Sequence, residues 1–474
     1  MGIRSYRNYI KSVLHNSFIA IFSLSTWLLM EKITAMHNIK QVLFVDNVVS
    51  ASGTNIRPRE HREIDIVIKS KKYCPSFVVS EPVLIGNPQK FFKTKSFSDP
   101  RVEIYRVPCL ILGSLSTNRS LSKFGKAMFG LCNFLFQLIY LIHLTLLIWA
   151  LAVSKKVDLL HAHNPPDLTG LASLFVSKTV GIPYVYEVHD RAPELYCGEM
   201  GLSQTGLVYL LMKHIEKMVI TNSAGVVTVN KRVAEYYKSF GGPDPLAIYT
   251  GTAIDTNQLK QLSLDSHSPI GDSIILYQGS LNMTSVGKPA IYDLMLPLKA
   301  MPRILEMYGD VVLVYVGEGS GRSKLATTAK SMKLNQKVVF TGFLPQKEVF
   351  AWVNRAQVVL IPYSDNSNCH TTVPTKLYEY MAIGKPIVAT NFPGNAEIIE
   401  DGRNGLLYAV NSVPNFSNCV LRILKDPNLA QELASNAKND FYSKYALDKN
   451  WPKLISLYDS ILSMNSTSER LNNK

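Results

Sequence analysis

Two side chains of opposite charge, Lys376 and Glu379, open the stretch of this sequence that is richest in chemistry, residues 374–408. The pattern predicts a helix that begins at Thr375, so the two side chains lie one turn apart on the same helix face. A helix N-terminus attracts anions through its backbone N–H groups and its dipole, and a lysine beside it adds a mobile cation. This combination suits a diphosphate, although a Lys–Glu pair at this spacing is by itself usually a surface ion pair.

A second helix N-terminus follows in the same stretch. The tripeptide GKP at 384–386 ends the first helix and starts a strand, and a loop with a glycine leads into a predicted helix at 396–400. We expect the amides of this loop to face the same anion as Lys376. The candidate amide donors are those of Gly394, Asn395 and Ala396.

Short apolar strands alternate with amphipathic helices along most of the chain, which is typical of βαβ units with parallel sheets. The first series has predicted strands at 41–48, 157–161, 184–189 and 225–229. The second series has predicted strands at 273–279, 311–317, 337–341, 358–362 and 385–389. The predicted fold class is therefore α/β, with two tandem Rossmann-like, doubly wound domains. Such sheets bind ligands beyond the carboxyl ends of their strands, so we place the active site in the cleft between the domains.

These two series also set the predicted domain boundaries. In chain order the segments are an apolar extension or anchor (1–35), a first domain (36–255), a polar linker (256–272), a second domain (273–445), a helix that packs back toward the first domain (446–464) and a polar tail (465–474).

Several common sites are excluded by spacing. Gly317 and Gly319 follow a predicted strand, but Arg322 stands where the dinucleotide motif G-x-G-x-x-G requires glycine, and the P-loop spacing fails at the same place. The six cysteines form no Cys-x-x-Cys pair and have no histidine at metal-ligand spacing, so we predict no metal site. The net charge of +14 suits an anionic partner, but basic runs interleaved with aromatic residues are missing, which argues against nucleic acid.

Two apolar stretches raise the question of membrane contact. The first, 18–30, is shorter than the about 20 residues that span a bilayer, and translation from Met36 would omit it. The second, 127–153, is long enough and contains no formally charged residue. It lies within the first predicted domain, where a crossing would divide one sheet between the two sides of a membrane. We therefore expect it to lie in the interface of the cytosolic leaflet, with a core helix pair or a re-entrant hairpin as alternatives.

Residues 374–408 resemble the C-terminal donor-binding motif of the retaining glycosyltransferases of family 4, which have the GT-B architecture. The segments ILYQGSL, VYVGEG, VVFTGFLPQKEV and LIPY resemble the strands and loops that precede that motif, and DLLHAHNPPD, PYVYEVHD and GVVTVNKRV resemble the family's N-terminal strands more loosely. The resemblance implies an N-terminal acceptor domain and a C-terminal nucleotide-sugar-binding domain. It also implies a hexosyltransferase-type enzyme of polysaccharide biosynthesis that retains the anomeric configuration, with a nucleotide-sugar co-substrate and neither metal nor cofactor.

The resemblance further implies roles for individual residues of the second domain. Glu379 matches the second glutamate of the family's E-x(7)-E motif, which binds the ribose hydroxyls, and Thr371 stands where the first, sugar-binding glutamate is expected. Ser280 replaces the usual diphosphate-binding arginine, and Lys288 is the nearest candidate for the usual lysine. Lys376 compensates for these changes and is assigned a catalytic role. The remaining donor-site candidates are Gly279, Gly317, Gly319 and Glu397.

In the N-terminal domain, His189 matches the family's histidine that faces the reacting sugar, and the adjacent Asp190 offers an orienting partner. We assign His189 as the second catalytic residue, with a purely structural hydrogen bond as the alternative. The candidates on the acceptor side are Gly53, Arg57 and His163.

The partners predicted from this resemblance are a nucleotide-sugar donor, a lipid-linked or polysaccharide acceptor, and the cytoplasmic face of a membrane, bound peripherally or monotopically. Two other functions stay open. A catalytically inactive member acting as a binding or scaffold subunit is compatible with the threonine at 371. A sugar-nucleotide epimerase with the same fold would need several carboxylates facing one hexose.

Overall fold

Two large parallel sheets, each packed between helices, make up the described part of the chain. The structure is a computed structural model that describes residues 40–46, 66–85, 102–112, 123–154, 157–165, 167–200, 202–249, 273–285, 288–289, 291–365 and 372–472. The predicted extension at 1–35 and linker at 256–272 lie outside these ranges. The sheets confirm the predicted α/β class with two Rossmann-like domains.

The first sheet has seven parallel strands in the order β3-β2-β1-β4-β5-β6-β7. These are β1 (Lys40–Asp46), β2 (Tyr73–Ile85), β3 (Glu103–Leu112), β4 (Leu159–His163), β5 (Tyr184–Val188), β6 (Gly225–Thr228) and β7 (Leu246–Ala247). Its helices are α1 (Lys123–Ser154), α2 (Leu168–Val180), α3 (Ala192–Met200), α4 (Leu207–Thr221) and α5 (Lys231–Lys238). The strand order reverses between β1 and β4, which creates a crevice at their carboxyl ends.

The second sheet has six parallel strands in the order β12-β11-β8-β13-β14-β15. These are β8 (Ser273–Gln278), β11 (Val311–Val316), β12 (Val338–Gly342), β13 (Val358–Ile361), β14 (Ile387–Thr390) and β15 (Leu406–Tyr408), with a short ribbon of β9 (Thr284–Ser285) and β10 (Lys288–Pro289). Its helices are α6 (Met295–Tyr308), α7 (Arg322–Ser331), α8 (Gln346–Arg355), α9 (Thr375–Ile383), α10 (Pro393–Ile398), α11 (Val413–Lys425) and α12 (Pro427–Asp440). Strand β11 is apolar and fully buried, as expected for a strand covered on both faces.

The apolar stretch predicted at 127–153 lies within one continuous helix, α1. Tyr140, Leu144 and Ile148 are buried in the core beneath the first sheet. Because β3 and β4 belong to the same sheet, the helix runs along that sheet and returns the chain to it. The alternatives of a re-entrant hairpin and a helix pair are therefore wrong for this segment.

A long C-terminal helix, α13 (Leu447–Asn472), covers the opposite face of the first sheet, where Trp451, Leu454 and Tyr458 are buried. The side chain of Ile461 lies so close to Gly225 that an added Cβ there would be 3.1 Å from it. The helix continues to Asn472, so the polar tail predicted at 465–474 is helical over most of its length.

Candidate functional site

Lys376 is held in place at the start of α9. Its ammonium donates a hydrogen bond to the carbonyl of Gln278 at 2.6 Å, at the carboxyl end of β8. It also lies 3.9 Å from the ring centre of Tyr292 and 4.4 Å from that of Tyr277. The side chain is partly buried. The prediction of a mobile cation is therefore wrong, because the carbonyl and the aromatic faces fix the ammonium before any anion arrives.

Burial shifts the pKa values of both residues that define this site. It lowers the pKa of Lys376 to about 7, against the opposing effect of the Glu379 carboxylate. It raises the pKa of Glu379 by more than the hydrogen bond from Gln278 and the charge of Lys376 lower it, so that pKa is raised overall. An anion bound beside Lys376 would favour its protonated form.

Gln278 is a site residue that the sequence reasoning missed. Its amide Nε2 donates to the Glu379 carboxylate, and its Oε1 is buried without a hydrogen-bond partner among the described residues. Leaving a buried acceptor unpaired costs about 1–3 kcal/mol, so a ligand hydroxyl that donated here would be favoured. The available signal was a polar residue at the end of an otherwise apolar strand, in ILYQGSL.

The glycines after β8 and β11 allow two loops to touch through their backbones. Gly279 and Gly317 have φ angles of +134° and +135°, which favour glycine. A Cβ on Gly317 would lie 2.0 Å from the Gly279 carbonyl oxygen, and one on Gly319 would lie 2.5 Å from the Leu281 backbone. A Cβ on Gly279 would lie 2.6 Å from the Lys376 ammonium. These glycines therefore allow the loops beside Lys376 to pack closely, and the exposed Ser280 lies in the loop that follows β8.

The second predicted anion-facing helix begins earlier than the sequence indicated. Helix α10 starts at Pro393 rather than at 396, because proline is favoured in the first helical turn. The amide of Ala396 donates to the Phe392 carbonyl at 2.8 Å, so its assignment as an anion donor is wrong. The Asn395 side chain donates to the end of β14 and is buried. Gly394 lies buried in the same first turn.

Glu397 does not face the donor side. Its carboxylate accepts hydrogen bonds from the backbone N–H groups of Lys231 at 2.8 Å and Arg232 at 3.1 Å, at the start of α5. It also accepts one from the Tyr249 hydroxyl at 2.9 Å. Because these three groups belong to the first domain or follow directly from it, the assignment of Glu397 to donor binding is wrong.

In the first domain, His189 follows the carboxyl end of β5 and is backed by two buried residues. Its Nε2 lies 3.0 Å from Nδ1 of His163 and 3.5 Å from Oε1 of Glu187. His163 and Glu187 are paired in register on β4 and β5. His163 is fully buried, so its assignment to the acceptor side is wrong; it lies behind His189 and supports that ring. Every residue of β4 is buried, so neither face of this strand offers an exposed position.

His161, His163 and Glu187 form a buried set of metal-ligand types that the sequence reasoning did not bring together. Each offers one ligand atom within 4.8 Å of the others. His161 Nε2 lies 3.1 Å from Glu187 Oε2, and its Nδ1 contacts the Tyr458 hydroxyl. The donor set suits a transition metal, and His161 Nε2 and Glu187 Oε2 already lie within ion-pair distance of each other.

For four of the predicted site residues the structure does not describe the side-chain surroundings. Gly53, Arg57 and Thr371 lie outside the described residues, and Lys288 is placed in β10 by its backbone alone.

Two family models match this chain in tandem. The model described as "Glycosyl transferases group 1" matches residues 292–440, which include Lys376 and Glu379. The model described as "Glycosyl transferase 4-like domain" matches residues 88–249, which include His189. The chain belongs to the group 1 glycosyltransferases. This confirms the family that the sequence resembles, and each match contains strands of one of the two sheets.

Relatives of this group 1 glycosyltransferase cover most of its length at low identity. An uncharacterised glycosyltransferase of Methanocaldococcus jannaschii is 26% identical over 319 residues, which are 65% of this chain and 77% of the relative. The alpha-D-kanosaminyltransferase of Streptomyces kanamyceticus is 22% identical over 66% of this chain and 82% of its own.

Solved structures share the fold of this glycosyltransferase. Sucrose-phosphate synthase from Thermosynechococcus elongatus has a TM-score of 0.66 at 15% identity and covers 90% of this chain and all of its own. HepE of Anabaena in complex with UDP has a TM-score of 0.59 at 15% identity, covering 89% of this chain and all of its own.

Proposed function

We propose that this group 1 glycosyltransferase transfers a sugar from a nucleotide-sugar donor to a glycan or lipid-linked acceptor, with retention of anomeric configuration and without a metal ion. The observation that carries the proposal is the fixed ammonium of Lys376, one turn from Glu379 at the carboxyl end of β8. Support for the donor class comes from the structural neighbour HepE, which was solved with UDP. A hexose is the sugar class that the sequence resemblance implies.

Lys376 would act on the leaving group. Transfer breaks the bond between the anomeric carbon and the diphosphate oxygen, so negative charge develops on the diphosphate. A cation that is already in position stabilises that charge without reorganising in the transition state. The N-terminus of α9 adds the favourable end of its dipole. Glu379 would accept hydrogen bonds from the ribose hydroxyls, and the unpaired Gln278 Oε1 offers one further acceptor.

His189 would contribute from the first domain. Its Nε2 is committed to His163 and Glu187, so the ring is oriented from behind before the sugar binds. A ring oriented in this way can contact the reacting sugar when the two domains close on the donor. Closure also excludes water, which favours transfer to the acceptor over hydrolysis.

The experiment that tests this function measures release of nucleoside diphosphate by the pure protein from a panel of nucleotide sugars that begins with UDP-glucose. We expect release to depend on an acceptor extract, to persist in EDTA, and to give a product with the donor's anomeric configuration by NMR. Donor binding without any turnover would contradict the enzyme and support the inactive scaffold. Loss of turnover in EDTA would contradict metal independence and direct attention to His161, His163 and Glu187.

We also propose that the first domain docks on the cytosolic leaflet, as a lipid-linked acceptor would require. Among the described helices, the segment Leu135–Ser154 is apolar enough to cross a membrane, with a mean hydropathy of 2.1, and only 28% of it is buried. Its exposed side chains recur at helical spacing as one outward stripe. They are Leu135, Leu138, Ile139, Ile142, Leu146, Trp149 and Val153.

A second apolar patch supports the same proposal. The first turn of α4 exposes Leu207, Val208, Leu210 and Leu211. Helices α1 and α4 cover the same core beneath the first sheet, so both patches belong to one layer of the domain. An exposed apolar surface of this extent is typical of a membrane or partner contact.

Flotation with anionic liposomes tests this docking. Protein shortened to begin at Met36 should float, and the combined changes Leu138→Glu, Ile142→Glu and Leu146→Glu should prevent flotation while leaving the thermal unfolding midpoint near that of the parent. Phe343→Glu, which places one negative charge on an exposed apolar residue of the second domain, is the control, and each of the three α1 changes is also compared with it singly. Shortened protein that stays at the bottom of the gradient at low salt contradicts membrane docking by α1.

A further inference from the structure

Glu397 joins the two domains through the end of a helix. It lies on α10 of the second domain, and its two carboxylate oxygens each accept a backbone N–H from α5 of the first domain. The donors, Lys231 and Arg232, are the first two residues of α5. N–H groups at this position have no partner within their own helix, so they need an acceptor from elsewhere.

The remaining contacts at this helix end complete the cap. Asn230 accepts a hydrogen bond from the Val233 amide at 2.8 Å, as an ordinary N-cap residue does. The carboxylate of Glu397 is further favoured by the positive end of the α5 dipole. The first turn of α5 is therefore satisfied partly by its own domain and partly by the other one.

Tyr249 ties the same carboxylate to the connection between the domains. It follows β7 in the chain, and its hydroxyl donates to Glu397 at 2.9 Å. Its ring is buried in the core of the second sheet, with its centre 5.1 Å from that of Tyr445. The chain is thus anchored on the second domain at the point where the described part of the first domain ends.

We propose that Glu397 is a positioning residue for sugar transfer, which fixes the angle between the domain that binds the donor and the domain that carries His189. This inference rests on the proposed function. Strand β6, which leads into α5, pairs with β5, which leads into His189. Helix α10 follows β14, which comes directly after the helix of Lys376.

Glu397 should therefore affect the rate of sugar transfer although it does not contact the donor. A misplacement of about 1 Å between reacting groups can cost about 10²-fold in rate. A change in the angle between the domains displaces His189 relative to a donor held on the second domain. The donor's own contacts at Lys376 and Glu379 are left intact, so binding and catalysis should respond differently to the loss of Glu397.

The experiment compares Glu397→Ala, Glu397→Gln and Tyr249→Phe with the control Glu400→Gln. The control carboxylate lies three residues further on, is exposed and pairs with Arg403. UDP affinity is measured by calorimetry, the domain arrangement by small-angle scattering, and transfer and donor hydrolysis by product release. For Glu397→Ala we expect a UDP Kd within about twofold of wild type and a kcat for transfer lowered by about tenfold or more.

The same variant should hydrolyse a larger share of its donor, because imperfect closure admits water, and its radius of gyration should increase. Glu397→Gln should fall between it and wild type, since the amide keeps one acceptor. Wild-type transfer and scattering in Glu397→Ala would overturn the proposal. So would a loss of transfer that follows only the loss of thermal stability, with an unchanged share of hydrolysis. If wild-type protein binds no UDP or other nucleoside diphosphate, the proposed function fails, whereas the scattering comparison still tests the contact between the domains.

Discussion

A Lys376→Met variant is expected to transfer sugar about 10²- to 10³-fold more slowly than the wild-type enzyme, the usual effect of removing one preorganised charge from a transition state. Methionine keeps much of the side-chain volume and removes the ammonium that contacts the Gln278 carbonyl. Losing the ammonium also removes its desolvation cost, which offsets part of the cost of leaving the Gln278 carbonyl without this donor. Product release with saturating donor measures the effect.

A pH titration of donor affinity distinguishes this role from a general structural one. The pKa of Lys376 is about 7 in the free protein, so its side chain is a charged ammonium below that pH and a neutral amine above it. Binding a diphosphate diester requires the charged form, so each binding event takes up a proton above pH 7. The donor Kd should therefore rise with pH above about 7, by up to about tenfold per unit.

Lys376→Met should bind the donor weakly, and its Kd should not change with pH over the same range. Lys330→Met, which removes an exposed lysine from the last turn of α7, is the control and should behave as wild type. A nucleotide sugar is the right probe because its diphosphate is a diester without a proton to lose near neutral pH. A wild-type Kd that stays constant from pH 7 to about 9 would contradict the assignment of Lys376 to the diphosphate.

The architecture was predictable from the sequence because periodicity and chain order depend on local pattern. Helix α9 begins and ends where the sequence predicts, at Thr375–Ile383, directly before the GKP tripeptide. Buried parallel strands appear as continuous apolar runs, and their alternation with helices fixes the class of fold. The early strands β2 and β3 were harder to predict because Pro75, Pro82 and Pro108 interrupt their apolar pattern.

The site was less predictable, because its contacts join residues far apart in sequence. Lys376 and Glu379 follow from one helix turn, but the Gln278 carbonyl that fixes the ammonium comes from another strand. Glu397 lies in the expected stretch, yet its partners are helix N–H groups of the other domain, which carry no side-chain signature. His163 is buried because elements distant in sequence cover both faces of β4, which no local pattern reports.

Glu379→Ala should lower kcat/KM roughly 30- to 900-fold. This corresponds to a loss of about 2–4 kcal/mol of transition-state stabilisation. The Glu379 carboxylate accepts a hydrogen bond from the Gln278 amide and lies near the Lys376 ammonium, which together hold it in one position. A ribose bound at that position can donate its hydroxyls to the carboxylate. Glu432→Ala, on the exposed face of α12, removes a carboxylate of the same type and should have little effect.

A donor analogue whose ribose lacks its 2′- and 3′-hydroxyls makes the test specific to the proposed contact. Wild-type enzyme should use the analogue far less well than the natural donor, because the Glu379 carboxylate is then left without its hydrogen-bond donors. In Glu379→Ala the two donors should differ by only a few-fold, since the acceptor is already gone. The two losses should therefore be strongly non-additive in a double-mutant cycle. Equal discrimination against the analogue by wild type and variant, with both proteins folded, would show that Glu379 does not bind the ribose and that its pairing with Gln278 serves the fold.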